Sequence, residues 1–300
     1  MQLRKLSNMY VALGVLTLGL IALGGAVRAM NAGLACPDWP LCFGQLIPDF
    51  HPQVYFEFIH RVLAGLIAII SVILGVIALR RPDVPRVVKS LIYVGWAVLV
   101  VQIVMGGLTV LKLLHFGTVT AHLGLGITFF ALVMWKVFVF RHKGPLVAQP
   151  RKTPLKYLIH MAPLLVFGQI LLGGLVSSNY AGLACTDFPL CHGEIAPTFS
   201  GPVGLQVMHR LGAYTVFIYA YLLYLGIRWG RFEFPMKLVR TSRMLISLMM
   251  VQLAIGMANV VFKIPPIVTV LHLAVAAAIL ATCLRMVFLV SYEPGTRAGA

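Results

Sequence analysis

Charge is what this 300-residue chain has least of: Asp, Glu, Lys and Arg make up 11% of it, and only 8 residues are acidic. Soluble domains carry about a quarter charged residues, so a water-soluble globular fold is excluded. The chain also has no C-x-x-C. Cys36 and Cys42, like Cys185 and Cys191, are spaced C-x₅-C. That is too wide for a C-x-x-C dithiol redox motif or a C-x-x-C-H haem-attachment motif. No long apolar run is interrupted by a Gly-Pro break, and ionisable residues do not gather at mid-span. Both absences argue against a transporter with parallel repeats, which uses broken helices and midplane sites.

Apolar residues dominate instead, at 60% with a mean hydropathy of +0.94. Runs long enough to cross about 30 Å of hydrocarbon lie near 9–29, 57–79, 90–111, 116–140, 155–177, 207–229, 243–261 and 267–290. The first run has the length of a signal peptide. A similar run returns at 155–177, followed by a similar cysteine segment, which predicts a retained first helix.

The net charge of +16 first suggests nucleic acid as a partner. Its distribution does not. With the N-terminus inside, the inner side collects Arg4, Lys5, Arg80, Arg81, Arg86, Lys89, Lys136, Arg141, Lys143, Arg151, Lys152, Lys156, Arg228, Arg231, Lys237, Arg240, Arg243, Arg285 and Arg297. The outer side has only Arg28, Arg61, Lys112, Arg210 and Lys263, balanced by Asp38, Asp49, Glu57, Asp187 and Glu194. This is the positive-inside pattern of a multi-pass protein of the cytoplasmic membrane, with both termini cytoplasmic and the cysteine segments outside. An oxidising exterior predicts two loop-local disulfides, Cys36 with Cys42 and Cys185 with Cys191. Cys283, in the last run, reads as a small buried apolar residue.

The segment "GLACPDWPLCFG" at 33–44 returns as "GLACTDFPLCHG" at 182–193. An offset of 149 also pairs Gly24-Gly25 with Gly173-Gly174 and His60 with His209. After one inserted residue, an offset of 150 pairs Gln102 with Gln252, Gly106 with Gly256 and His122 with His272. Four spans per repeat give both repeats the same orientation. The expected fold is therefore an all-α membrane protein of eight transmembrane helices, arranged as two pseudo-symmetric parallel four-helix bundles. Residues 1–143 and 155–300 form the two units, and a basic, Pro-containing linker spans 144–154. The glycine pairs allow helices to approach closely.

Of nine histidines, His51, His142 and His192 fall in loops or at membrane borders, and His160 near an inner helix end. His115 sits in a short outer turn. His60, His122, His209 and His272 each lie one to two turns inside the outer end of an even-numbered span. An ionisable group at that depth is costly unless paired or coordinating. A lone histidine there is best read as hydrogen-bonded across a helix seam. Two per bundle at matched depth, repeated, read as ligands. Zinc wants four ligands, or three plus water. Two imidazoles facing across an apolar bundle suit haem iron, which takes two axial ligands. The expected pairs are His60 with His122 and His209 with His272, with Arg61 and Arg210 beside them to meet haem propionates.

The repeats differ at one position. The first reads "EFIHR" and the second "QVMHR", so Glu57 faces Gln206. A carboxylate one turn from a haem ligand can move protons or stabilise developing positive charge, and an amide cannot ionise. Pairing with Arg61 or Arg28 at the outer interface is the purely structural reading, and spacing alone does not separate the two. Cys36–Cys42, near Glu57, is open to a structural role or to redox and transient substrate-holding roles. Cys185–Cys191 reads as structural.

Together "GGAVRAMNAGLACPDWPLCFGQLIPDF", "EFIHR", the second "MHR", His122 and His272 resemble the haem A synthase family over essentially the whole chain. These membrane enzymes convert haem O to haem A for cytochrome oxidases. The resemblance implies a substrate haem O site in the amino-terminal unit, with His60 and His122 near iron and Glu57 catalytic. It implies a haem b cofactor held by His209 and His272 in the carboxy-terminal unit. The implied reaction oxidises a porphyrin methyl group to a formyl group, and an oxygen-derived and a water-trapping route both fit Glu57. Expected partners are haem O and haem A, an electron donor, a haem O synthase, cytochrome oxidase assembly proteins, the lipid bilayer and further copies of this chain. A di-haem electron-transfer cytochrome and a haem-carrying assembly factor are the competing readings.

Overall fold

The computed structural model describes residues 3–149, 153–195, 197–229 and 234–293. Arg151, Lys152, Arg231 and Arg297, used above to orient the chain, lie outside the described residues. Among the described residues the regular structure is eight long helices and one short 3₁₀ turn, Ala181–Leu183. The helices are α1 (Leu3–Ala29), α2 (Pro52–Leu79), α3 (Arg86–Leu111), α4 (Phe116–Arg141), α5 (Pro154–Ser178), α6 (Gly201–Trp229), α7 (Met236–Val261) and α8 (Pro266–Tyr292). Each is long and apolar enough to cross a membrane, so the chain is a multi-pass membrane protein.

The carboxyl ends of the apolar runs agree closely with the helix ends, but several helices start earlier. α2 begins at Pro52, α6 at Gly201 and α7 at Met236. Hydropathy marks only the hydrocarbon crossing. Helical hydrogen bonding continues past it until a residue of other geometry stops it. Proline sets several of these starts: Pro52, Pro154 and Pro266 lie in first turns, and Pro85, Pro235 and Pro265 occupy the N-cap position. There the missing N–H is no loss.

Helix ends repeat by the same offsets as the sequence. Asn31 and Tyr180 follow α1 and α5 with φ of 52° and 53°. Leu113-Leu114 and Lys263-Ile264 follow α3 and α7, also in the left-handed region. Leu114 N–H then reaches back to the Thr109 carbonyl at 2.8 Å, and Ile264 N–H to that of Asn259 at 2.7 Å. These reversed residues close off the last turns and send the chain straight into the next helix.

α1 packs on α2 and α4, and α3 on α4; α5 packs on α6 and α8, and α7 on α8. Across the middle α1 meets α8, α4 meets α5, and α4 meets α8. The α2–α3 seam is the loosest between consecutive helices. The apolar core forms two large clusters. One draws on α1 to α4 through Leu13, Leu74, Ile92 and Val133. The other is built on α5 to α8 but takes in Ile127 and Phe130 of α4. The glycine pairs divide their work. An added Cβ on Gly25 would lie 3.1 Å from Leu273 of α8, and one on Gly174 would lie 2.8 Å from Leu123 of α4. These glycines set the cross-middle contacts, and their partners Gly24 and Gly173 face histidines.

Candidate functional site

All four histidines stand at the end of the molecule that carries the cysteine loops. At about 1.5 Å per residue, His60 and His209 lie about 12 Å below the starts of α2 and α6, and His122 and His272 about 9 Å below those of α4 and α8. Each half-buried ring is set against a glycine of the preceding helix. A Cβ on Gly24 would lie 3.0 Å from His60 Nε2, one on Gly106 or Gly173 3.0 Å from Cε1 of His122 or His209, and one on Gly256 3.1 Å from Cε1 of His272. Only glycine leaves room for an imidazole there.

His209 and His272 face each other with ring centres 6.4 Å apart and planes at 71°. Two metal–imidazole bonds of about 2 Å, plus about 1 Å from each nitrogen to its ring centre, span about 6 Å. Nδ1 of His122 and of His272 is buried with no hydrogen-bond partner. A buried imidazole nitrogen without a partner calls for a ligand. Among the described residues no cluster of three or more His, Cys, Asp or Glu could hold a metal ion. Two facing imidazoles at this separation fit a group that brings its own equatorial ligands, as haem does.

Glutamines steer the rings. Gln102 Nε2 lies 3.4 Å from His122 Nε2, and Gln252 Nε2 lies 3.3 Å from His272 Nε2. In the second repeat only, Gln169 of α5 lies 3.0 Å from His209 Nδ1 and donates to the His209 carbonyl at 2.8 Å. The position matching Gln169 in the first repeat is Leu20, and the His60 ring makes no hydrogen bond with a described residue. Sequence reasoning missed Gln169 because the repeat does not contain it. A polar residue one turn from Gly173 on an otherwise apolar helix was the available signal.

Over the histidines sit the loops. Both disulfides form, Cys36–Cys42 and Cys185–Cys191. Asp38 accepts from the N–H groups of Phe43 and Gly44, both at 2.7 Å, and Asp187 from those of His192 and Gly193 at 2.9 and 3.0 Å. The Gly44 N–H above all holds the Asp38 carboxyl below its ordinary value.

Arg61 and Arg210 serve these loops. Arg61 donates to the carbonyls of Asp38, Leu41 and Cys36. Arg210 donates to those of Asp187, Leu190 and Cys185 at 2.9, 2.6 and 2.8 Å. The guanidinium groups expected to meet propionates also clamp the loops, because three converging carbonyls match the planar fork, and the Arg210 Nε is left without a hydrogen-bond partner. Glu57, only 6% exposed, joins the first clamp. Its Oε1 pairs with Arg61, and its Oε2 accepts from the Cys36 N–H at 3.0 Å. Gln206 replaces it in the second loop and donates to the Gly182 carbonyl at 3.3 Å. Arg28, the other partner considered for Glu57, instead crosses to the second repeat, bonding the Ser177 carbonyl and the Tyr180 hydroxyl. His115 caps α4 by accepting from the Gly117 N–H, and His160 bonds within the α5–α8 region. Neither joins the histidine pairs.

These features define a multi-pass membrane bundle with four histidines seated on glycines under two disulfide-closed loops. Its sequence matches the COX15-CtaA family, described as cytochrome oxidase assembly protein, over residues 7–53 and 48–284. Relatives named Heme A synthase include one from Shewanella oneidensis, 29% identical across 89% of this chain and 91% of the relative. One from Halalkalibacterium halodurans is 27% identical over the same shares. One from Symbiobacterium thermophilum is 30% identical across 78% of each. The chain belongs to the haem A synthase family.

Proposed function

We propose that this chain oxidises the methyl group of haem O to the formyl group of haem A in its amino-terminal unit, residues 1–143, while its carboxy-terminal unit, residues 155–300, holds haem b. The two units are read as pseudo-symmetric bundles in the cytoplasmic membrane, with termini and the 144–154 linker inside and cysteine loops outside, as the basic-residue distribution supports.

The observation that carries the reading is that the matched histidines His60 and His209 are finished differently. His209 is fixed by Gln169 through both ring and backbone, as suits a ligand to a resident group. His60 has no such tether, as suits a site whose occupant must leave after each turnover. Haem b, when bound, supplies one-electron chemistry. His209 and His272 hold and orient it, and the apolar bundle excludes water.

In the first unit His60 and His122 position the substrate beneath the Cys36–Cys42 loop. Glu57 brings the carboxylate that the second unit lacks, held in place by Arg61 and the Cys36 N–H. Methyl to formyl with oxygen from water releases four protons and four electrons, which an electron acceptor must take; with oxygen from dioxygen, two successive hydroxylations instead consume four electrons from a donor. A fixed carboxylate at the substrate edge favours positive charge developing on carbon and gives departing protons an acceptor. Its neighbour Arg61 keeps it aimed. An electron donor, a haem O synthase as supplier and further copies of the chain complete the expected surroundings.

A second reading draws on the same network. Glu57 is fully engaged in the loop clamp, as it would be in a di-haem electron carrier or a haem-carrying factor without methyl oxidation. Glu57→Gln separates them. Haems extracted from cells supplied with haem O are identified by mass. The enzyme reading expects haem A to fall at least about a hundredfold in the variant, a usual range for loss of an acid–base group, with haem b retained. Wild-type levels of haem A in the variant, or no haem A from the wild-type chain, refute it.

A further inference from the structure

At the end of the molecule opposite the cysteine loops, a cavity of about 420 Å³ opens between the start of α1 and the end of α4. Arg4, Arg141 and Lys143 line it, and none forms an ion pair with a described carboxylate. Ser7, 3% exposed, also lines it, and its Oγ is buried without a hydrogen-bond partner. His142 lines the far wall with its Nδ1 likewise unpartnered; the nearest carboxylate, that of Glu293, is 3.6 Å away and also 3.0 Å from Lys237. Behind Ser7 lie two more buried polar groups, the unpartnered Tyr10 hydroxyl and the Lys136 ammonium, which sits 5.4 Å from the Tyr10 ring centre.

An arginine in the first turn of α1 opposes the positive helix terminus unless an anion lies between them. Three cations and a buried unpartnered hydroxyl converge on one space, and together they describe a phosphate site. The surface above it indicates which phosphate. Asn8 begins a stripe of exposed α1 residues at helical spacing, and beyond it the stripe is wholly apolar through Ala12, Val15, Leu16 and Gly19. A charged group in the cavity is therefore continuous with an exposed apolar helix face fit for an acyl chain.

We propose that this cavity binds the phosphodiester of an anionic phospholipid, its acyl chains lying along the exposed face of α1. Basic pockets between transmembrane helices at the cytoplasmic face are suited to such headgroups. The site is separate from the histidine pairs and does not depend on the enzymatic reading.

The test is native mass spectrometry of the full chain, stripped of lipid and titrated with phosphatidylglycerol or phosphatidylcholine. Phosphatidylglycerol binds preferentially to the wild type. Binding weakens about fivefold per basic side chain removed, so the Arg4→Gln, Arg141→Gln, Lys143→Gln combination loses about a hundredfold. Ser7→Ala, which leaves the charge intact, loses about fivefold. Removing the same charge elsewhere, by Arg80→Gln, Arg86→Gln and Lys89→Gln, leaves binding unchanged. Equal binding of the two lipids, or a triple cavity variant indistinguishable from the remote one, overturns the proposal. Displacement of the lipid by inorganic phosphate, with the same gain in melting temperature from phosphate alone, overturns the lipid assignment in favour of a soluble phosphate.

Discussion

Alanine at position 173 tests the glycine seats. A Cβ added to Gly173 lies 3.0 Å from His209 Cε1, whereas ordinary contact begins at 3.4 Å. The ring must therefore retreat by at least 0.4 Å. It is not free to do so, because Gln169 holds both its Nδ1, at 3.0 Å, and its carbonyl, at 2.8 Å. Retreat stretches one tether or the other and alters the 6.4 Å separation from His272. Overpacking of this kind costs about 1–3 kcal/mol. If that cost falls on the bound state, haem affinity drops about five- to 150-fold. Gly168 on the same helix is the control, since a Cβ there meets nothing within 4 Å. Purified Gly173→Ala and Gly168→Ala are compared by haem-to-protein ratio and by titration of the stripped protein with haem, followed in the Soret band. Gly168→Ala matches wild type, and Gly173→Ala loses haem from the carboxy-terminal site. Equal haem content and affinity in the two variants would refute the seat.

Gln169→Leu installs the residue of the first repeat; haem b affinity falls about tenfold to a hundredfold while the protein stays folded, as spectral titration will register. Arg210→Ala strands three loop carbonyls and lowers stability by about 3 kcal/mol or more, and Arg210→Lys gives little back because an ammonium cannot reach all three; thermal melts at fixed detergent check both. Asp38 titrates below its ordinary 3.8 in the folded loop, so the stability it lends is complete above that value and disappears as acid takes the pH down through the depressed one. Melts carried from neutrality to about pH 2 show this loss in the wild type, and Asp38→Asn removes that part of the acid sensitivity.

The eight spans, the doubled loop and the four histidines were legible in the sequence because each is a local pattern: an apolar run, a C-x₅-C, a histidine at fixed depth. The helix starts were less so, since α6 gains six residues beyond its apolar run, from Gly201. The loop contacts of Arg61 and Arg210 were not legible. Adjacency to a ligand suggested propionates, but the number of carbonyls within reach of a guanidinium depends on how the loop folds back, and no spacing encodes that. Glu57 was legible as an asymmetry and as a partner for Arg61, a pair that forms, but not as an acceptor for the loop backbone. Its bond to the Cys36 N–H spans two elements joined only through the disulfide-closed loop.

The sharing of α4 between the two apolar clusters bears on how such a chain could have arisen from a doubled gene. Ile127 and Phe130 sit fully packed among residues of the later helices, and Phe288 of α8 is enclosed by the earlier ones. A half-length ancestor would have left those same surfaces bare to lipid unless a second copy covered them. In one continuous chain the two halves cover each other's bare surfaces, and each can carry its own residue at a matched position, glutamate at 57 and glutamine at 206.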